Sequence, residues 1–332
     1  MTTKALFIGL PDYPPLPSED ALEAISHGTE FHCTQVKQEA VSYISKNKKN
    51  LKFIVLNGPD KEILEQFRLQ NADGISILTT DLSMEQYASR LEFQENTLLD
   101  HVVSTSSGQD WTLTGLRVTI QKEMQNDLFG IDKYLKPETI IFSKKVTHSD
   151  QRRELNHEVM NYAESLRLTS ATSKLLYGIT EELLMNAIYD APTGVDGQSI
   201  YGDVKRTKSI SLSDEESCEL SYGCDGDTFA LGVRDPFGSL KKDKFQSYVK
   251  KVIRRKEGNK IIDTKKGGAG LGLFKILYSS HALICNSLPG HATEVISLID
   301  IHCQIRDFSR MARSLHFFVG TRPATTQPKV KK

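Results

Sequence analysis

The stretch that decides the fold of this chain is Gly268-Ala-Gly270-Leu-Gly272-Leu273, which lies well downstream of Glu182-Leu-Leu-Met-Asn186. Because glycine has no Cβ, a glycine-rich backbone can approach phosphate oxygens closely and donate its N–H groups to them. Leu271 and Leu273 indicate a helix that packs directly behind this loop. The stretch therefore predicts a nucleotide-phosphate site, although a glycine-rich run taken alone is equally typical of an ordinary loop.

Glu182 and Asn186 are four residues apart, so on a helix they project from the same face. An amide oxygen at Asn186 suits Mg²⁺, which takes few protein ligands when nucleotide phosphates supply the others. Glu182 is the candidate general base, which would polarise an attacking water or hydroxyl. Apolar residues at helical spacing predict the buried face of this helix: Ile179, Leu183, Leu184, Ala187 and Ile188.

Two further segments supply candidates for the recognition of adenine. The apolar run that begins at Leu231 ends in Asp235-Pro-Phe-Gly238, which predicts a strand followed by a turn. A carboxylate at Asp235 can accept a hydrogen bond from the exocyclic amine of adenine, which guanine does not offer at that position. Thr293 precedes a second predicted strand, residues 294–299, and its hydroxyl can join the same contacts.

Taken in this order, the four elements resemble the ATP site of the GHKL, or Bergerat-fold, ATPase superfamily, which includes gyrase and the histidine kinases. The resemblance covers roughly residues 150–300 and implies an α/β sandwich that binds ATP and Mg²⁺. It implies that Asn186 is the metal ligand, that Asp235 reads adenine, and that the glycine stretch closes a lid over the phosphates. The cofactor-binding residues that it implies are Asn186, Asp235, Gly238, Gly268, Gly270, Leu271, Gly272, Leu273 and Thr293. One departure is Phe237, which stands where the usual motif has glycine.

The segment upstream of Glu182 separates the members of this superfamily. Histidine kinases carry their phosphoacceptor histidine on a dimerising helical hairpin, whereas here residues 152–166 lead almost directly into the asparagine helix. His157 is therefore interpreted as a surface histidine of the first helix. The compact order resembles the anti-sigma-factor serine kinases, which implies phosphorylation of a regulatory protein partner, either a sigma-factor regulator or another signalling protein.

Two alternatives to the serine kinase remain open. One is a non-catalytic interaction module whose binding is gated by ATP. The other is a histidine kinase whose phosphoacceptor lies on a separate protein.

The N-terminal part predicts a second α/β unit, because short apolar runs alternate with amphipathic stretches, as in βαβ units of a parallel sheet. This flavodoxin-like domain resembles a response-regulator receiver. However, Asn57 ends the third strand, where a receiver requires aspartate, and Gly9-Leu10 replaces its acidic pair. We therefore predict a degenerate, pseudo-receiver domain, with an unrelated flavodoxin-like module as the alternative. The predicted strands are residues 5–10, 31–36, 52–57, 74–78 and 101–104, and the predicted helices are residues 39–46, 61–70 and 84–93. A further predicted helix, residues 111–124, is either the last helix of this domain or a coupling helix between the two domains.

These patterns predict four regions. They are a receiver-like domain over residues 1–125, a connector over 126–150, a histidine-kinase-like ATPase domain over 151–318 and a disordered tail over 319–332. Segment 241–266 carries eleven Lys or Arg residues against three acids. Three interpretations of it remain open: lysines that reach the γ-phosphate, a basic face that docks an acidic partner, or a solvated helix face.

The composition narrows the class of partner. Lys plus Arg number 42 and Asp plus Glu number 42, so no global charge attracts nucleic acid, and we predict no nucleic-acid partner. The chain has neither a signal-peptide pattern nor an apolar run of membrane-spanning length, which predicts a cytoplasmic protein without a membrane span. Five scattered cysteines predict reduced thiols, although Cys218 and Cys224 can meet across a hairpin. A homodimer is left open.

Overall fold

The computed structural model describes residues 2–25, 28–83, 86, 99–106, 109–194, 197–245, 247 and 271–321. Its strands are β1 (Lys4–Ile8), β2 (Glu30–Thr34), β3 (Leu51–Leu56), β4 (Ile75–Thr80), β5 (His101–Ser104), β6 (Ile141–Val146), β7 (Cys218–Cys224), β8 (Thr228–Asp235), β9 (Ala282–Leu288), β10 (Ala292–Asp300) and β11 (Ser314–Val319). Its helices are α1 (Glu19–Ile25), α2 (Lys37–Asn47), α3 (Lys61–Gln70), α4 (Gln109–Gln125), α5 (Gln151–Ser165), α6 (Ser170–Met185) and α7 (Leu271–Tyr278).

The strands form one mixed sheet in the order β2-β1-β3-β4-β5-β11-β9-β10-β8-β7-β6. The first five strands pair in parallel, and their order, 2-1-3-4-5, is that of flavodoxin-like sheets. Strands β6, β7, β8, β10 and β9 pair antiparallel, each with the next. The α/β fold class predicted from the sequence is therefore confirmed.

The parallel strands are apolar on both faces because helices cover both faces of the sheet. Ile54 packs in a cluster with residues of α2 and α3, while its neighbour Val55 packs with residues of α1 and α4. The predicted strands and helices of this half are confirmed within a few residues at each end, and residues 61–70 and 101–104 match without any shift. The predicted helix 84–93 lies outside the described residues, apart from position 86.

The last strand joins the two halves of the sheet. β11 pairs antiparallel with β5, where His316 lies opposite His101, and parallel with β9 on its other side. Side chains reinforce the junction, since the Ser104 backbone N–H donates to Ser314 Oγ at 2.9 Å and Ser104 Oγ donates to the Ala312 carbonyl at 3.0 Å. The sheet therefore continues from the N-terminal half into the C-terminal half.

Helices α5, α6 and α7 cover one face of the C-terminal half. Tyr189 and Phe229, both fully buried, belong to the core between these helices and the sheet. The opposite face is covered by Trp111 of α4 and by a 3₁₀ helix, Ile131–Tyr134. Within the described residues, no helix is both long enough and apolar enough to cross a membrane.

A buried ion cluster forms a second link between the halves. Asp100, directly before β5, pairs with Arg68 of α3 and with Lys242 of the C-terminal half. Burial alone would raise the pKa of Asp100, but Lys242 and Arg68 outweigh it and lower that pKa. Phe245, which follows on the same helical turn, packs against Phe317 of β11 at 5.2 Å between ring centroids.

The predicted connector and tail contain ordered pairings. Strand β6, within the connector range 126–150, forms an edge of the sheet beside β7. Val319 ends β11, the Gly320 N–H donates to the Ser287 carbonyl at 2.8 Å, and Thr321 exchanges hydrogen bonds with the side chain of Asn126. Residues 322–332 of the predicted tail lie outside the described residues.

Asn57 performs a structural task at the position where a receiver carries its phosphoacceptor. Its side chain is buried, its Oδ1 accepts from the Leu10 N–H at 2.7 Å, and its Nδ2 donates to the carbonyls of Leu10 and Pro14 at 3.0 and 2.8 Å. The amide thus fastens the loop after β1, the loop that would carry the acidic pair of a receiver.

We predict that the N-terminal half does not accept a phosphoryl group, because an amide at position 57 cannot form an acyl phosphate. Incubation of the full chain with acetyl phosphate and Mg²⁺ should give no mass increase on residues 1–125, measured by intact-mass and peptide mass spectrometry. A phosphorylation-competent receiver in the same reaction is the positive control. A stoichiometric acid-labile adduct on these residues would refute the pseudo-receiver interpretation.

Candidate functional site

A cavity lies between the C-terminal end of α6 and the ends of β8 and β10. It has about 590 Å³ of empty space, part of it open to solvent. Four of the predicted cofactor-binding residues line it together: Asn186, Asp235, Leu273 and Thr293. The fold therefore brings residues that are far apart in the sequence to one site.

The helix that carries Asn186 changes its geometry at that residue. α6 begins with Thr169 as its N-cap, whose side chain accepts from the Thr172 N–H at 3.1 Å. The helix then passes into a π-helical turn, Asn186–Asp190, in which the Ala191 N–H donates to the Asn186 carbonyl at 2.8 Å. Such turns occur frequently at functional sites. Here the turn brings Asn186, Asp190 and Ala191 to the cavity wall.

The pairing of β10 with β8 aligns Asp235 with Thr293. The two residues lie directly opposite each other in the antiparallel register, and both are at least nine-tenths buried. One polar atom, Thr293 Oγ1, hydrogen-bonds no described residue, and Asn186 Nδ2 is likewise buried without such a partner. A buried polar atom without a partner is costly in a folded protein, unless a ligand or water completes its hydrogen bonds.

Gly238 holds the turn after Asp235 in place. Its φ of +60° is in the left-handed region, and an added Cβ would lie 2.6 Å from the backbone nitrogen of Gly290. The turn at Gly238 therefore packs directly on the turn that leads into Thr293. A glycine is required here for close backbone approach.

The carboxyl group of Asp235 is electrostatically unusual. Burial raises its pKa to about 7, although backbone N–H groups of Phe237, Gly238 and Thr293 and the charge of Arg234 act in the opposite direction. The Phe237 N–H donates to Asp235 Oδ1 at 2.9 Å. Perturbed carboxyl groups of this kind are typical of functional sites, where they are held for contact with a ligand.

Glu182, the candidate base, lies beside the glycine stretch. An added Cβ on Gly272 would lie 2.7 Å from Glu182 Oε2 and 3.3 Å from Asn186 Oδ1, so this glycine packs closely against both predicted residues. Glu182 forms an ion pair with Lys275 of α7. Glu182 is not among the described residues that line the cavity.

The outcome for the rest of the predicted site is mixed. Gly268 and Gly270 lie outside the described residues, as does most of segment 241–266. α7 begins at Leu271, within the glycine stretch, which confirms the helix predicted from Leu271 and Leu273. His157 is exposed on α5, as predicted, and its ring contacts Tyr177 edge-on. No group of three or more His, Cys, Asp or Glu residues in the described ranges could hold a metal ion.

Several lining residues were not predicted. Val233 and Val295 lie two residues from Asp235 and Thr293 on their strands, so the period of two in a β-strand would have identified them. Ser239, Leu240 and Lys244 follow the turn, and no local pattern marks them. Tertiary contacts hold this segment, since Ser239 Oγ donates to the Ala191 carbonyl at 2.9 Å and Ser287 Oγ donates to the Leu240 carbonyl at 3.2 Å.

Comparisons with known proteins do not identify the chain. No protein-family model matches it, and no curated protein matches it. Among solved structures, it is similar to the SiaB-SiaC complex from Pseudomonas aeruginosa, with 14% identity, a TM-score of 0.30, and coverage of 48% of this chain and 88% of that chain. It is also similar to a diacylglycerol kinase from Bacillus anthracis str. Sterne, with 11% identity, a TM-score of 0.24, and coverage of 94% and 96%.

The raised pKa of Asp235 leads to a prediction about stability. Below pH 4 the carboxyl is protonated in both the folded and the unfolded chain, whereas between pH 4 and 7 only the unfolded chain ionises. The free energy of unfolding of the wild type should therefore fall over this range, by at most about 4 kcal/mol for a pKa raised from 3.8 to about 7. Asp235→Asn removes this titration. The melting temperature of the variant minus that of the wild type should therefore increase as the pH is raised from 5 to 8.

The matched control is Asp203→Asn, which changes an exposed aspartate. Differential scanning calorimetry at pH 5, 6, 7 and 8 gives the comparison. A difference between Asp235→Asn and wild type that stays constant over this pH range would contradict the buried, protonated carboxyl.

Proposed function

We propose that this chain is a cytoplasmic, ATP-binding regulatory protein whose nucleotide occupies the cavity at Asp235 and Thr293. One observation carries the proposal: the buried carboxyl of Asp235 and the buried hydroxyl of Thr293 lie opposite each other on paired strands and line one cavity with Asn186. The Thr293 hydroxyl hydrogen-bonds no described residue. The carboxyl would accept from the exocyclic amine of adenine, and the threonine hydroxyl can both donate and accept beside it. Val233 and Val295 would contact the faces of the base.

The residues around Asn186 fit a nucleotide with its magnesium ion. The described residues hold no acidic cluster that would bind a metal alone, which suits an ion bound mainly by phosphate oxygens and by one amide oxygen. Gly272 approaches Asn186 so closely that a side chain at this position would enter the space beside the amide. ATP would supply the transferable phosphoryl group, and Lys244, which lines the same cavity, would add positive charge near it.

We place the chain in the GHKL superfamily and, within it, closest to the serine kinases that act on regulatory proteins. The resemblance of Glu182 with Asn186, Asp235 with Gly238, the glycine stretch and Thr293 supports this proposal. Four of the predicted residues, Asn186, Asp235, Leu273 and Thr293, also line one cavity. In this function Glu182 accepts a proton from a serine hydroxyl of the partner protein. Because Lys275 pairs with its Oε1, Oε2 is the oxygen that would accept this proton.

A second function, an ATP-gated interaction module, is favoured by that same ion pair. Lys275 holds the carboxylate of Glu182 in an ion pair, and Glu182 is not among the described residues that line the cavity. In this alternative the nucleotide determines which protein surface is presented, and turnover is slow. The two functions share the nucleotide site and differ only in the role of Glu182.

The adenine assignment predicts that Asp235→Asn weakens the binding of ATP at least tenfold, measured at pH 8 by calorimetry on the full chain. The physical reason is the loss of a charge-assisted acceptor, which contributes about 1.5–3 kcal/mol. Asp203→Asn, the exposed control, should bind ATP as the wild type does. Unchanged affinity in the Asp235 variant would remove adenine from this site.

Two further variants separate metal binding from catalysis. Asn186→Ala should weaken ATP binding mainly when Mg²⁺ is present, because the amide oxygen would contact the ion rather than the nucleotide. Glu182→Gln should leave the affinity nearly unchanged and lower phosphoryl transfer or ATP hydrolysis by about 10²–10⁴-fold, the usual contribution of a general base. Equal turnover in the wild type and in Glu182→Gln would select the gated module over the kinase.

A further inference from the structure

A second cavity lies on the opposite face of the sheet. It is enclosed by α4, by the segment after the 3₁₀ helix and by strands β8 to β11, and it has about 1090 Å³ of empty space, part of it open to solvent. The alternation of side chains along β10 separates the two cavities: Thr293 and Val295 line the candidate nucleotide cavity, whereas Leu298 lines this one. The second cavity is therefore distinct from the nucleotide site.

The walls of this cavity suit a flat apolar ring. Ile284 and Leu298 from the sheet and Leu135 from the opposite side provide apolar surface, and Trp111 and Tyr134 provide aromatic surface. Trp111 is half-buried and is the single tryptophan of the chain. A cavity lined mainly by apolar and aromatic side chains with a few polar groups is typical of small-molecule sites.

The charged groups at the rim leave one cation without a counter-ion. Lys136 pairs with Asp227, which also pairs with His302. Asp225 accepts from the backbone N–H groups of Lys136, Asp227 and Thr228. Arg117, by contrast, is half-buried in the cavity wall and makes no ion pair or hydrogen bond with a described residue. A partly desolvated guanidinium with no counter-ion is a site for a carboxylate, which it can bind through two parallel hydrogen bonds.

His316 supplies a hydrogen-bond acceptor to the same cavity. The Thr119 hydroxyl donates to the Gly115 carbonyl at 2.7 Å, so its oxygen is left to accept from His316 Nδ1–H at 3.3 Å. His316 Nε2 is then the unprotonated nitrogen, and it hydrogen-bonds no described residue. Burial holds the pKa of His316 well below its ordinary value, which keeps the ring neutral. The side chain is buried, and it lines the cavity.

We propose that this cavity binds a small aromatic carboxylic acid that carries a second polar hydrogen, such as a phenolic hydroxyl. Its carboxylate pairs with Arg117, its ring lies among Trp111, Leu135 and Leu298, and its hydroxyl donates to His316 Nε2. The cavity is bordered both by α4 of the N-terminal half and by strands of the C-terminal half, so a bound acid contacts both halves. This proposal does not depend on the nucleotide site.

The test uses 4-hydroxybenzoate as the probe and Trp111 emission as the readout, because no other tryptophan contributes to the signal. We expect a saturable change in emission as 4-hydroxybenzoate is added. 4-Hydroxybenzamide, which lacks the charge, should bind with at least tenfold lower affinity. Arg117→Gln should weaken binding of the acid at least tenfold and leave binding of the amide unchanged, while Arg117→Lys should retain part of the affinity for the acid. Arg153→Gln, which changes an exposed arginine of α5, is the matched control.

Three outcomes would overturn the proposal. They are no emission change with millimolar 4-hydroxybenzoate, equal binding of the acid by wild type and Arg117→Gln, or displacement of the probe by ATP in direct competition. The melting temperature of Arg117→Gln without the probe distinguishes a lost site from a chain that has not folded.

Discussion

The insertion of β11 between β5 and β9 is the interaction on which the rest of the structure depends. Without this strand each half of the sheet would end in an unpaired edge, and exposed edges favour association with other chains. β11 satisfies both edges, antiparallel to β5 and parallel to β9. Its register also assigns its side chains to faces, so that Phe317 packs against Phe245 on one face and His316 lines the second cavity on the other.

Two aspartates show how the surroundings of a carboxyl determine its role. Asp235 lies in a cavity wall, and burial raises its pKa to about 7. Asp100 is partly buried, and Lys242 and Arg68 overcome the effect of burial and lower its pKa. Asp100 thus forms ion pairs that hold the segment leading to the cavity, whereas the carboxyl of Asp235 lies in the cavity wall. The N-terminal half therefore helps to position the wall of the candidate nucleotide site.

The face of the sheet opposite that site carries a buried polar chain. Lys122 Nζ donates to Asn286 Oδ1 at 2.7 Å, and Asn286 Nδ2 donates to Glu294 Oε2 at 2.8 Å. Glu294 adjoins Thr293 on β10. One face of this strand therefore presents Thr293 to the candidate nucleotide cavity, and the other face presents Glu294, which is linked to α4 through Asn286 and Lys122. Removing one member of such a chain would leave a buried charge uncompensated. The position of α4 therefore depends on the position of β10, and the reverse.

The sequence by itself determined the elements whose signals are local. Apolar runs and helical spacing predicted the N-terminal strands and helices. The spacing of Glu182 and Asn186 predicted that both project from one helix, and Glu182 lies on α6 while Asn186 begins the π-helical turn that continues it. The residue type of Asn57 alone predicted that position 57 does not accept a phosphoryl group. Only the tertiary structure decided that β11 completes the sheet, that β6 borders it, that Lys275 pairs with Glu182 and that Arg117 faces an apolar cavity. These features depend on contacts between distant segments, such as the hydrogen bond between Ser104 and Ser314, which are 210 residues apart. The periodicity of side chains along one segment contains no information about which distant segment that segment will pair with.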